Sequence, residues 1–310
     1  MVINMEHINI KLQSQYDNLS IDTLIIKPDN IKGIIQFVHG MCEHKERYIP
    51  VMEYLAKHHY LCIIHDHRGH GKSILNDNDL GYFYNSKDIG LVEDIELVQQ
   101  YIKHLYPDIP LYLFGHSMGS LAVRAYIKKY DTHIQGLFVC GSPSFNPLST
   151  IGLSVIRLLT KIKGDHYRNH LVNEMVIGAF NKPFKKENKK NAWICTDSQV
   201  VDDYNNNPLC SFSFTMNGYD SLLSLMSQVY SQKNWKINNP NLPIHFISGQ
   251  YDPCMTNIKM FKQSVELLKQ VGYKNVNYKL YNDMRHEILN EPDKQEVYKD
   301  ILNKIKEWEN

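Results

Sequence analysis

The chain has no excess of charge of either sign. Its 34 Lys and Arg balance 33 Asp and Glu, and no uninterrupted basic block occurs. Nucleic-acid binding needs a concentration of cationic side chains to neutralise phosphates, so that role is not expected. The densest basic stretch, Lys182 to Lys190, is broken by Pro, Phe, Glu and Asn and reads as solvated surface. No apolar run approaches the ~20 residues that span a bilayer. The start, MVINMEHINI, has no basic region followed by a long apolar stretch, so no secretory signal is expected. The six cysteines, at 42, 62, 140, 195, 210 and 254, form no C-x-x-C pair. Such scatter suits neither a disulfide framework nor a zinc site, and a reduced, cytoplasmic setting is the expectation.

What is present is alternation. HINIKL and TLIIKP read as an opening antiparallel pair. Apolar runs at 33–40, 60–67, 110–115, 134–143, 242–249 and 276–282 read as strands. Between and after them lie helical patterns at 47–58, 88–107, 117–130, 257–272 and 293–308. Strands alternating with helices predict an α/β fold, a mostly parallel sheet with helices on both faces. Residues 143–237 break the rhythm and are too long for an ordinary loop. Their helical patterns, 148–162 and 219–230 among them, predict a helical cap inserted into a core formed by 1–142 and 238–310.

Residues 115–119, GHSMG, form a G-x-S-x-G motif between a buried strand and a helix. That context presents the Ser117 hydroxyl above the strand ends, with the helix N-terminus aimed at it. Small residues are needed on either side of so sharp a turn, and Gly115 and Gly119 supply them. A serine nucleophile needs a base, an acid to orient the base, and N–H donors for the oxyanion. FVHGMCEH leaves its strand through His39-Gly40, so the Met41 N–H is one candidate donor and the Met118 N–H the other. Asp252, in FISGQYDPC, follows a late strand and has the address of the acid. Its competitors are Asp220, inside the insertion, and Asp283, three residues before the base. His286, in YNDMRHEIL, follows the last strand and completes the order Ser, Asp, His.

HDHRGHGKS (65–73) ends like a P-loop, but Asp66 stands where the first glycine is required. Metal ligation by His65, His67 and His70 is disfavoured for lack of carboxylate spacing. Arg68, Gly69 and Gly71 read instead as a hydrogen-bonded turn. Asp94 and Arg124 read as structural partners on helix faces.

Taken together, HGMCEHKERY, HDHRGHGKS, GHSMGS, SGQYDPC and DMRHEILNE resemble the monoglyceride lipase and lysophospholipase group of α/β-hydrolases, from about Gly33 to the C-terminus. NPLCSFSFT (207–215) is similar to the insertion of bacterial members. The resemblance implies the α/β-hydrolase fold, with Ser117 as nucleophile, Asp252 as acid, His286 as base, and Met41 and Met118 as oxyanion donors. The family often has Ala or Leu at the position of Met41, and the larger side chain is expected to narrow the acyl pocket. The expected enzyme is a cofactor-independent, metal-free serine esterase. Its expected substrate is a small-molecule ester or monoacyl lipid, with transient lipid-surface contact through the cap. Small-ester or thioester hydrolysis and peptidase activity remain alternatives. A non-catalytic binding protein would call for a damaged triad.

In 148–162, Ile151, Val155, Leu158 and Ile162 form one stripe, with Leu148 and Leu159 beside it. A helix covering a core needs one such stripe, so this stripe is expected to face inward. Leu153 and Ile156 extend the apolar surface beyond it, toward an acyl tunnel, a lipid aggregate or the rest of the cap.

Overall fold

The computed structural model describes residues 4–85 and 87–310. Of the opening decapeptide, Met1, Val2 and Ile3 therefore lie outside the described residues, as does Ser86. Eight strands form one sheet: β1 (Met5–Gln13), β2 (Ser20–Pro28), β3 (Gly33–Val38), β4 (Tyr60–His65), β5 (Leu111–His116), β6 (Gly136–Cys140), β7 (Ile244–Gly249) and β8 (Val276–Tyr281). Their order is β1-β2-β4-β3-β5-β6-β7-β8. β1 and β2 form the expected antiparallel pair, and β2 meets β4 antiparallel. All later neighbours are parallel. β3, β4, β5 and β7 are buried along their whole length. This is why they read as continuous apolar runs: a parallel strand covered on both faces has no polar side to alternate with.

Each face of the sheet has its own helical cover. α1 (Ile49–Ala56) and the last helix, α9 (Lys294–Glu309), bury Val51, Met52, Leu55, Val297, Ile301 and Ile305 on one side. On the other, α2 (Lys87–Leu105), α3 (Met118–Tyr130) and α8 (Ile258–Gln270) bury Leu91, Ile95, Val98, Leu121, Phe261 and Val265. The first residues of α8 are held by Asn257, whose side chain accepts from the Met260 N–H.

Between β6 and β7 come α4 (Leu148–Lys163), α5 (His170–Val176), α6 (Ser198–Asn206) and α7 (Met216–Tyr230), with 3₁₀ turns at 178–187 and 192–194. α7 packs on α2 and α3, and α4 packs on α7. Arg157 of α4 and Lys87 of α2 both reach the Asp220 carboxylate on α7, each at 2.9 Å.

The facing of α4 corrects the sequence expectation. Ile151, Val155, Leu158 and Ile162 point outward, whereas Ile156 is only 2% exposed. The inward face runs through Gly152, Leu153, Ile156, Leu159 and Thr160. The Leu148 side chain lies outside what is described. Both sides of this helix carry aliphatic residues, so periodicity identified an amphipathic helix but not which side meets α7. No helix among the described residues is long and apolar enough to cross a membrane.

Candidate active site

Ser117 sits where β5 turns into α3, with φ 53° and ψ −116°. A β-carbon-bearing residue rarely adopts this conformation, and the surroundings must hold it there. They do so through close approach. A Cβ on Gly115 would lie 2.5 Å from the Gly119 carbonyl oxygen, and one on Gly119 would lie 2.1 Å from that of Val38. Only glycine fits at either position, which is the physical content of the motif. The Ser117 N–H donates to the Cys140 carbonyl at 2.9 Å, tying the corner to the end of β6.

The two distant candidates meet. His286 Nδ1 lies 3.0 Å from both Asp252 Oδ1 and Oδ2. Asp252 is fixed in turn by donation from Ser248 Oγ and from the Cys254 N–H, each at 2.9 Å. Burial pushes the Asp252 carboxyl up, but His286 and these hydrogen bonds outweigh it and hold it below the ordinary value. Asp252 therefore stays ionised and leaves His286 Nε2 free to face a reacting group. Asp220 is taken up by Arg157 and Lys87, and Asp283 is exposed in a turn with φ 59°. Neither is in this arrangement. Among the described residues, Asp252, Cys254 and His286 form the one group able to share a metal ion. Asp252 and His286 already bond each other there, so the donor set does not suit a resident metal.

Ser117, His286, Met41 and Met118 line one cavity of about 630 Å³. The first N–H groups of a helix lack intrahelical acceptors, so the Met118 amide is available to an anion. The Met41 amide comes from the loop after β3. That loop is braced by HDHRGH, which supplies supports rather than ligands. His39 Nε2 accepts from the His67 N–H at 2.9 Å, and His67 Nε2 donates to the His39 carbonyl at 3.0 Å. His70 Nε2 accepts from the Cys42 N–H at 3.2 Å. Burial keeps all three rings neutral, well below the usual histidine range, with His70 pushed down to about 4. Arg68 pairs with Asp94 and Asp17, while Arg124 bonds Ser142 and the Ser120 carbonyl. Asp94 and Arg124 are thus both structural, but not with each other.

Sequence reasoning missed a buried ionic network behind the site. Glu43 Oε1 accepts from the Gly40 N–H at 2.5 Å, Tyr48 Oη at 3.1 Å and His116 Nδ1 at 3.0 Å. Arg47 bridges Glu43 at 3.0 Å and Glu287 at 2.6 and 2.7 Å. His116 Nε2 reaches the His286 carbonyl at 3.3 Å. Burial disfavours charge on Glu43, but His116, Arg47 and the Gly40 N–H hold its carboxyl well below the usual range. The same pairing raises His116 against the opposing effect of burial. The network joins the Met41 loop to the His286 loop. Its signal was present in GMCEHKER and RHE, but nothing local says that residues 240 apart pair.

Trp193 was also missed. Its ring lies 4.8 Å from that of His286 and 5.1 Å from that of Phe180.

The family model described as serine aminopeptidase, S33, matches residues 29–293. The chain belongs to this family. It is 24% identical to a monoacylglycerol lipase of Mycolicibacterium smegmatis over 277 residues, 88% of each chain. It is 26% identical to a monoglyceride lipase of Rattus norvegicus, over 89% of this chain and 82% of the relative. Its fold matches a thermostable carboxyl esterase from Bacillus coagulans, solved in complex with glycerol. That match has a TM-score of 0.89 and 25% identity, over 98% of this chain and 99% of the other. The α/β-hydrolase fold expected from the sequence is the one observed, and this S33 chain is a serine hydrolase.

Proposed function

We propose that this protein hydrolyses carboxylic esters of a single acyl chain, with a monoacylglycerol-like lipid as substrate, through an acyl-enzyme on Ser117. The observation that carries the reading is the strained Ser117 corner opening into the same cavity as His286, whose Nδ1 is held by Asp252. His286 Nε2 takes the Ser117 proton as Oγ attacks the ester carbonyl. The Met41 and Met118 amides hold the oxyanion, an interaction of about 3 kcal/mol per donor in related chemistry. The imidazolium then returns its proton to the leaving alcohol. Water, deprotonated by His286, attacks the acyl-enzyme and releases the acid. Every step uses groups of this chain and the substrate.

The lipid assignment draws on the cavity wall. Val176, Ile177, Phe180, Leu222, Leu223 and Met226 give it an apolar side suited to a hydrocarbon chain. The names of the Mycolicibacterium and rat relatives, and of the esterase, point to esters rather than peptides. An aminopeptidase needs an unpaired carboxylate to hold the substrate ammonium. Glu43 and Glu287 are already matched by Arg47 and His116. The remaining carboxylate on the wall, Glu174, has a side chain 54% exposed. In this reading residues 143–237 act as a helical cap over a core of 1–142 and 238–310.

Labelling with a fluorophosphonate probe tests the nucleophile. Wild-type protein should be labelled and Ser117→Ala should be neither labelled nor active. A glycerol monoester panel of increasing chain length tests the substrate. Each methylene that enters the apolar cavity should raise kcat/KM by roughly fourfold until the cavity is filled. A preference for acetyl would remove the lipid reading and leave a small-ester esterase.

A further inference from the structure

Arg124, on α3, is fully buried and pairs with no carboxylate among the described residues. Lys45 and Arg68 are buried as completely, but each sits against carboxylates: Asp22 and Asp66 for one, Asp17 and Asp94 for the other. Arg124 Nη1 has no hydrogen-bond partner among the described residues. An uncompensated buried cation is destabilising, and an apolar side chain would fill the same space without that penalty. The reason for a guanidinium lies in what its other nitrogens hold. Nη2 donates to Ser142 Oγ at 2.8 Å, and the Tyr230 ring centroid lies 4.8 Å from the guanidinium carbon. Tyr230, the last residue of α7, donates its hydroxyl to the Pro143 carbonyl at 2.6 Å. Arg124 and Tyr230 thus grip consecutive residues of the segment 141–144, which leaves β6. That segment meets the supports of Ser117, His286 and Asp252 in turn. Cys140, just before it, accepts from the Ser117 N–H. Gly141, with φ 55°, lies against His286: a Cβ there would be 3.2 Å from Cε1 of the imidazole. Ser144 donates its N–H to the Cys254 carbonyl at 2.9 Å and its hydroxyl to the Met255 carbonyl at 2.7 Å, in the turn after Asp252.

We propose that Arg124 is a positioning residue for the reaction: through Ser142, and with Tyr230, it sets the 141–144 segment on which Ser117, His286 and Asp252 are aligned. This role rests on the reading of those three as the triad, and it ties their alignment to α7. Kinetics on a soluble butyrate ester, the rate of fluorophosphonate labelling at Ser117, and Tm are measured together on each variant. Arg124→Met keeps most of the volume and removes the charge, so its Tm should stay within about 3 °C of wild type or rise. Its kcat and labelling rate should both fall ~10–100-fold, as misplacement of reacting groups does, with KM within about twofold. Arg124→Lys keeps the charge but not the planar fork and should recover little of the loss. Ser142→Ala should lower kcat ~3–10-fold. The double variant should be no slower than Arg124→Met alone, because the two residues act as one. Should Arg124→Met fail to fold, Ser142→Ala decides, and an unchanged kcat there overturns the proposal. A kcat and labelling rate within about twofold of wild type in a folded Arg124→Met overturn it as well. So does a change confined to KM, full recovery in Arg124→Lys, or additive losses in the double variant. Wild-type protein that is active but never labelled at Ser117 refutes the triad reading, and the role of Arg124 falls with it.

Discussion

The indole of Trp193 lies against the imidazole of His286, ring centroids 4.8 Å apart and planes inclined by 44°. Asp252 holds one edge of the imidazole through Nδ1, and Trp193 lies tilted against the ring. An aromatic contact of this kind contributes about 0.5–1.5 kcal/mol beyond burial. Trp193→Leu should therefore lower kcat by ~3–10-fold with a smaller change in KM, because the base loses orientation more than the substrate loses contact. Trp193→Phe should recover most of the loss. Steady-state kinetics on one soluble ester decides it: a change confined to KM would make Trp193 a pocket wall and not a positioning residue.

Asp252→Asn should cost far more. The amide cannot support the imidazolium and favours the wrong tautomer, a change worth about four decades in a related triad. Asp220→Asn and Asp283→Asn should each stay within about tenfold of wild type, since one bonds Arg157 and Lys87 and the other is exposed. A large loss at either of those, with Asp252→Asn active, would move the acid elsewhere.

The contrast between Asp252 and Glu43 shows what a sequence exposes. Ser117, Asp252 and His286 stand out in the sequence as candidates because each leaves a strand end through a short turn, and the structure brings Asp252 and His286 into contact and sets Ser117 and His286 on one cavity. Glycine at 115 and 119, the places of Asp252 and His286 just past late strands, and the order Ser, Asp, His mark them. The sheet was legible for a similar reason, since strands buried on both faces become uninterrupted apolar runs. Glu43, Arg47 and Glu287 left no such mark, because an ion network is a property of the folded arrangement. The orientation of α4 was hidden differently: with Ile156 on one side and Ile151, Val155, Leu158 and Ile162 on the other, hydrophobicity does not choose a face. The choice is made by contact with α7.

Glu43→Gln tests the network. The substitution leaves Arg47 and His116 facing a neutral amide in a buried site. It also weakens the tie to the Gly40 N–H. Removing one partner of a buried ion pair costs about 3–5 kcal/mol. In a chain of this size that corresponds to a Tm lower by roughly 5–8 °C. Activity should fall as well, because the Met41 loop and the His286 loop are both anchored there. A Tm within 2 °C of wild type, roughly 1 kcal/mol or less, would show that the network is not a stability element.

The last prediction concerns acid and His65. This side chain is fully buried at the end of β4, and neither ring nitrogen has a partner among the described residues. Burial, aided by Arg68, pushes its pKa down to about 3. The unfolded chain binds a proton near pH 6.5, whereas the folded chain does not until far lower. The neutral ring's contribution is thus complete above pH 6.5 and is lost progressively as pH falls toward 3. At pH 5 the loss from this one group is about 2 kcal/mol. His65→Leu removes both the titration and two unbonded nitrogens, which themselves cost roughly 1–3 kcal/mol when buried. The variant should match or exceed wild-type stability at pH 7, and its advantage should widen on acidification to pH 5. Urea unfolding at the two pH values measures the difference directly. Parallel losses in wild type and variant would mean that His65 finds a partner or a proton in the folded state, and the acid sensitivity would have to be sought in His39, His67 and His70.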